Sequence, residues 1–74
     1  MNDLVELLRK TVDSAPKDDR VATIHIFGID HAARLEGVNL KDLAGRAGIP
    51  ESYHAEIRKG MRLSRYVEVV RRPA

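Results

Sequence analysis

The side chains that could do covalent or metal chemistry are few, and their spacing does not support it. There is no cysteine, which excludes disulfides and thiolate zinc sites. His25, His31 and His54 do not stand at metal-ligand spacing and no Asp/Glu cluster accompanies them, so a core or surface role outweighs a metal site for each. Ser14, Ser52 and Ser64 lie in no Gly-x-Ser-x-Gly elbow, which leaves a hydrolase without an anchor. The five glycines form no phosphate loop. The expectation is a protein that is not an enzyme and carries no cofactor and no metal. What remains is cationic chemistry. Residues 1–36 hold five Lys/Arg against seven Asp/Glu, whereas residues 37–74 hold eight against four. Most of the excess is Arg58, Lys59, Arg62, Arg65, Arg71 and Arg72, opposed only by Glu68. A basic region of this kind suits a polyanion, with phosphate backbone the first candidate. The plainer alternative is a solvated face that keeps the protein soluble.

At 74 residues the chain has the length of one domain, 1–74. A chain this small buries only about 60% of the surface its unfolded form exposes, so dimerisation would help it. No apolar run approaches the roughly 20 residues needed to span a bilayer. The start, M-N-D-L-V-E-L-L-R-K, has no positive region before an apolar core and does not read as a signal peptide. A cytoplasmic protein is expected.

The basic residues need helices to position them. Val38 to Gly60 reads as two short helices around a tight turn. Asn39 is a good N-cap, and Leu40, Leu43, Ala44 and Ala47 share one apolar face. Gly48 suits a left-handed helix end, which glycine adopts without steric cost. Pro50 can occupy the first position of the second helix. Ile57 faces inward and Gly60 stops that helix. This is helix-turn-helix geometry over 39–60.

Ahead of it, residues 3–15 form an amphipathic helix. Asp3 and Glu6 have capping-box spacing, Leu4, Leu8 and Val12 make a stripe with Val5 and Leu7 beside it, and Pro16 ends it. This additional helix packs on the domain itself or serves dimerisation. Residues 21–36 read as helix, with Ile24, Gly28, Ala32 and Leu35 on one face, although V-A-T-I-H-I-F also fits a strand. Phe27 is a core anchor. Gly28 costs about 1 kcal/mol relative to alanine within a helix, and its use would be close approach of another helix. Residues 61–74 form a basic C-terminal segment. M-R-L-S-R-Y adds a helical turn with Leu63 and Tyr66 facing in, Y-V-E-V-V reads as extended, and Arg71, Arg72, Pro73 and Ala74 read as a disordered tail. A lone terminal strand would need residues 21–27, or a second copy, as partner. The fold class is therefore all-α, a small helix-turn-helix domain of four to five helices with a short extended C-terminal segment.

With these spacings in place, Gly37, Val38, Asn39, Leu43, Ala44, Gly48, Ile49, Ile57 and Gly60 resemble the Cro/phage-repressor (XRE) class of helix-turn-helix. The resemblance covers residues 24–66, with 24–36 as the class's first helix. Two positions depart from it. Leu40 stands where many members carry a phosphate-clamping glutamine, and His54 stands where the class is aliphatic. The resemblance implies a small transcriptional regulator that places helix 50–59 in the major groove of double-stranded DNA. Spacing turns Ile49, Tyr53 and Ile57 inward and leaves Glu51, Ser52, Ala55, Glu56 and Lys59 as base-facing candidates. Glutamate can accept from cytosine N4, serine bonds either way, and an alanine methyl can meet the thymine methyl. Lys41, Arg46, Arg58, Arg62 and Arg65 are the phosphate candidates, which set register rather than sequence. A homodimer would hold two recognition helices about 34 Å apart over a palindrome. The competing reading, from the acidic reading face, is a protein-binding module, antitoxin-like or adaptor.

Overall fold

The computed structural model describes residues 1–71. The described part is all-α and contains no strand: α1 (Asn2–Asp13), a 3-10 turn (Lys17–Asp19), α2 (Arg20–Asp30), α3 (Ala32–Leu35), α4 (Leu40–Arg46), a second 3-10 turn (Glu51–Tyr53) and α5 (His54–Leu63). The expected strand alternative for 21–27 is thereby removed. Arg72, Pro73 and Ala74 of the expected tail lie outside the described residues.

The first helix buries Leu4, Val5, Leu8 and Val12, as its apolar spacing requires. It starts a residue earlier than expected and without a capping box. Its N-cap is Met1, with no side-chain cap, because Glu6 instead takes the Arg9 guanidinium at 2.7 Å. The helix closes at Asp13, and Pro16 adopts an extended ψ of 146°. The continuous helix expected over 21–36 is interrupted at His31, which has φ −115° and ψ 20°. The break falls at Asp30–His31, two residue types of modest helix propensity. The His31 ring rests against Phe27 with centroids 5.0 Å apart. Beyond the break, Leu35 still reaches the core, and Gly37 ends the segment at φ 77°.

At α4 the caps form as the sequence implies. Asn39 accepts from the Asp42 amide at 3.1 Å. At the other end the Ile49 amide reaches back to the Ala44 carbonyl and the Gly48 amide to Gly45, both 3.1 Å. That paired arrangement needs a left-handed residue after the helix, and Gly48 supplies it at φ 82°. Two expectations for the next helix are corrected. Pro50 precedes the helix rather than opening it: its ψ is 137°, outside the helical range, so a 3-10 turn intervenes and α5 begins at His54. Gly60 does not stop α5, which continues to Leu63.

Gly60 has a different use. α2 crosses α5 at Gly28 and Gly60. A Cβ on Gly28 would lie 2.5 Å from the Ile57 carbonyl oxygen and 2.9 Å from the Gly60 Cα, and a Cβ on Gly60 would strike the His25 carbonyl. The close approach read from Gly28 is therefore realised. Around the crossing, Phe27, Leu8, Ile24, Leu35, Leu43 and Ile57 are almost wholly buried. Helix α1 closes the other side, where Arg9 donates to the Arg46 carbonyl at 2.9 Å and caps the end of α4.

After α5 the inward turn expected of Leu63 and Tyr66 is not found. Leu63 is 38% and Tyr66 82% exposed. The core is already filled by Ile57 and the glycine crossing, and the chain leaves it at Ser64. Residues 67–71 form no regular structure. Arg71 lies on Asp30 through a bidentate ion pair.

The crossing predicts opposite outcomes for one substitution at two helical glycines. Gly28→Ala forces backbone apart and lowers stability by about 1–3 kcal/mol. Gly45→Ala, whose Cβ would meet only the Glu51 side chain at 3.5 Å, raises it by up to about 1 kcal/mol. Urea denaturation reads both, and an undiminished midpoint for Gly28→Ala would contradict the crossing.

Candidate nucleic-acid interface

Helix α5 turns Ile57 and Gly60 to the core, and its opposite side faces solvent. Glu51, Ser52, Ala55 and Lys59 are exposed, as are Arg58 and Arg62. Ile49 and Ile57 are buried and Tyr53 half-buried against the core, which holds this orientation. His54, at a position expected to be aliphatic in the resembling class, is half-buried at the rim.

Glu56 is placed differently from its companions. Its Oε1 lies 2.6 Å from Nε2 of His25 on α2, 31 residues away in sequence, and 3.8 Å from Nζ of Lys59. Both side chains of the His25–Glu56 pair are about 25% exposed. With the ring nitrogen donating to the carboxylate, the hydrogen bond from His25 lowers the Glu56 pKa. Burial opposes the shift and the Lys59 charge adds to it. Glu56 is thus engaged with the neighbouring helix, whereas Glu51, Ser52, Ala55 and Lys59 remain free of it. Sequence reasoning missed His25. A histidine in an amphipathic stretch carries no motif, and only the crossing of α2 and α5 reveals its partner.

The phosphate candidates divide into two groups. Lys41 lines a surface depression of about 560 Å³ with Asn39, His54 and Arg58. Arg58 also lines a second, of about 370 Å³, with Arg62 and Arg65, beside Ala32, Ala33, Met61 and one acidic residue, Glu36. Arg58 therefore joins Lys41 at the start of α4 to Arg62 and Arg65 at the end of α5 in one basic strip. These four cations form no ion pair among the described residues, where the Lys/Arg pairs are Arg9–Glu6, Arg46–Asp42, Lys59–Glu56 and Arg71–Asp30. Arg46 stands apart from the strip, with its Nε 3.0 Å from Asp42 Oδ2.

The three histidines do not converge: His25 meets Glu56, His31 meets Phe27, and His54 lies beside Lys41 and Arg58. No group of three or more potential metal-ligating side chains occurs among the described residues, and none of their helices is long and apolar enough to cross a membrane.

Residues 1–70 match the family model described as an HTH-like domain. Comparison with curated proteins and with solved structures yields no match.

The Glu56 interaction predicts an acid-dependent part of the stability. A carboxyl whose folded pKa is depressed contributes its full share above the unfolded carboxylate value and loses it as the pH falls through the folded one. Glu56→Gln should therefore be less stable than the wild type at neutral pH, and the difference should shrink at about pH 3, below the usual carboxylate range. Urea midpoints at the two pH values check this, and a gap that stays constant with pH would contradict it.

Proposed function

Because the chain belongs to the HTH-like domain family, we propose that it is a DNA-binding transcriptional regulator that works in the cytoplasm, with α4 and α5 acting as a Cro/phage-repressor (XRE) type helix-turn-helix. In this reading α5 and the 3-10 turn before it enter the major groove of double-stranded DNA, and α1 braces the motif from behind. The observation that carries it is the strip of four cations without an ion pair among the described residues, Lys41, Arg58, Arg62 and Arg65, beside the exposed side of α5. Unpaired cations can neutralise phosphates without first breaking an internal ion pair, and each neutralised phosphate releases a condensed counterion.

Lys41, Arg58, Arg62 and Arg65 serve as phosphate contacts. Arg46 joins them only by exchanging Asp42 for a phosphate oxygen. Glu51, Ser52, Ala55 and Lys59 face base edges, where Glu51 can accept from cytosine N4 and the Ala55 methyl can meet a thymine methyl. Glu56 stays with His25, which withdraws one negative charge from the reading face. Leu40 is buried and does not clamp phosphate as a glutamine would, and the adjacent Lys41 takes that task. A second copy bound to a half-site about 34 Å away would extend the reading to a palindrome. The exposed carboxylate of Glu51, at the start of the reading segment, favours the competing protein-binding module, and the same experiment separates the two.

Fluorescence anisotropy on a random duplex across a salt series is the test. The expected result is binding that weakens steeply with salt. Arg58→Ala and Arg62→Ala should each lower the slope of log affinity against log salt by about 1. The absence of binding at about 50 mM salt, where phosphate contacts are strong, would overturn the DNA reading and leave the protein-binding module.

A further inference from the structure

Tyr66 is the most exposed large apolar side chain among the described residues, at 82%. It does not sit on a loose loop. Its amide bonds to the Leu63 carbonyl at 2.9 Å, and the Val67 amide bonds to the same oxygen at 3.0 Å, so the backbone beneath the ring is held to the end of α5. Tyr66 shares a surface depression of about 260 Å³ with Lys59, Arg62 and Leu63. These residues recur at the three- and four-residue spacing of one helix face. The arrangement is an aromatic ring, its backbone held to the end of α5, beside two exposed cations, of which Lys59 also lies 3.8 Å from the Glu56 carboxylate.

We infer that Tyr66, with Lys59 and Arg62, forms a stacking platform for an unpaired base, and that the chain binds single-stranded nucleic acid there. The cations select an anionic ligand. The ring needs a flat face to cover it, and a nucleotide offers both. In a continuous duplex the base faces are already stacked on their neighbours, whereas a single strand presents them free. The guanidinium of Arg62 can also stack on a base or on the ring. A second copy is a poor occupant, because two such patches face to face would oppose Lys59 and Arg62 to their own like charges. This site rests on α5 and Tyr66 and does not require the duplex reading above, although Lys59 and Arg62 serve in both.

The probes are a short fluorescein-labelled oligothymidylate and a duplex of equal length, titrated at low salt with the full chain. The expected result is that Tyr66→Ala weakens oligothymidylate binding about five-fold or more and leaves duplex binding unchanged, while Tyr66→Phe binds both as the wild type does. The chain has two tyrosines and no tryptophan. Oligothymidylate should therefore quench the tyrosine emission of the wild type, and Tyr66→Phe should lose that quenching. An exposed ring is dispensable for folding, so the urea midpoints of both variants should match the wild type. Absence of oligothymidylate binding, or equal binding by Tyr66→Ala, overturns the inference. So does an equal loss on both probes, which would make the ring a general contact. A wild-type dimer dissociated by Tyr66→Ala overturns it as well, by assigning the ring to a self-interface. A wild-type chain that binds oligothymidylate but no duplex, with Tyr66→Ala weakening the former, overturns the function proposed above and supports the stacking site.

Discussion

The crossing of α2 and α5 at Gly28 and Gly60 is the contact on which the rest of the molecule depends. Neither position has room for a Cβ, so the two helix backbones touch where side chains would normally hold helices 8–10 Å apart. Two glycines inside helices cost conformational stability. The structure recovers it by seating Ile24, Phe27 and Ile57 around the contact, all almost fully buried. Because α5 lies so near α2, its orientation about its own axis is set: Ile57 and Gly60 point in, and Ala55, Lys59 and Arg62 point out.

The same proximity shapes the electrostatics. At this separation His25 reaches Glu56 and holds one carboxylate of α5 at the junction of the two helices. Lys41, Arg58, Arg62 and Arg65 have no such partner among the described residues. An overall charge of only +2 is thereby sorted into a face with free cations and a junction that retains an anion. For attraction of phosphate, that local separation of charge matters more than the net value.

Several features of the fold could be read directly from residue types because local physics decides them. The Asn39 cap, the left-handed Gly48, the inward stripe of α1 and the buried Leu40, Leu43, Ala44 and Ala47 all depend on neighbours within a few positions. Where another partner competes, on the same helix or far along the chain, the local reading failed. Asp3 and Glu6 had capping-box spacing, but Glu6 pairs with Arg9 instead. Gly60 suited a helix end, but serves a helix crossing. Leu63 and Tyr66 continued an apolar pattern, but the core they would have entered is already filled by Ile57 and closed by the glycine crossing. The candidate site was legible to the same extent: the outward positions Glu51, Ser52, Ala55 and Lys59 follow from the turn and the helical period, while the engagement of Glu56 does not.

The sequence by itself determined an all-α chain with a capped, glycine-turned helix pair and a basic second half, because caps, φ preference and helical period act over one or two turns of chain. Tertiary structure alone decided that α5 runs through Gly60, that His25 holds Glu56, that Arg58 links two groups of cations, and that Tyr66 stands in solvent. Each of these depends on how closely two helices distant in sequence approach, and that distance is set by which side chains are absent at the crossing.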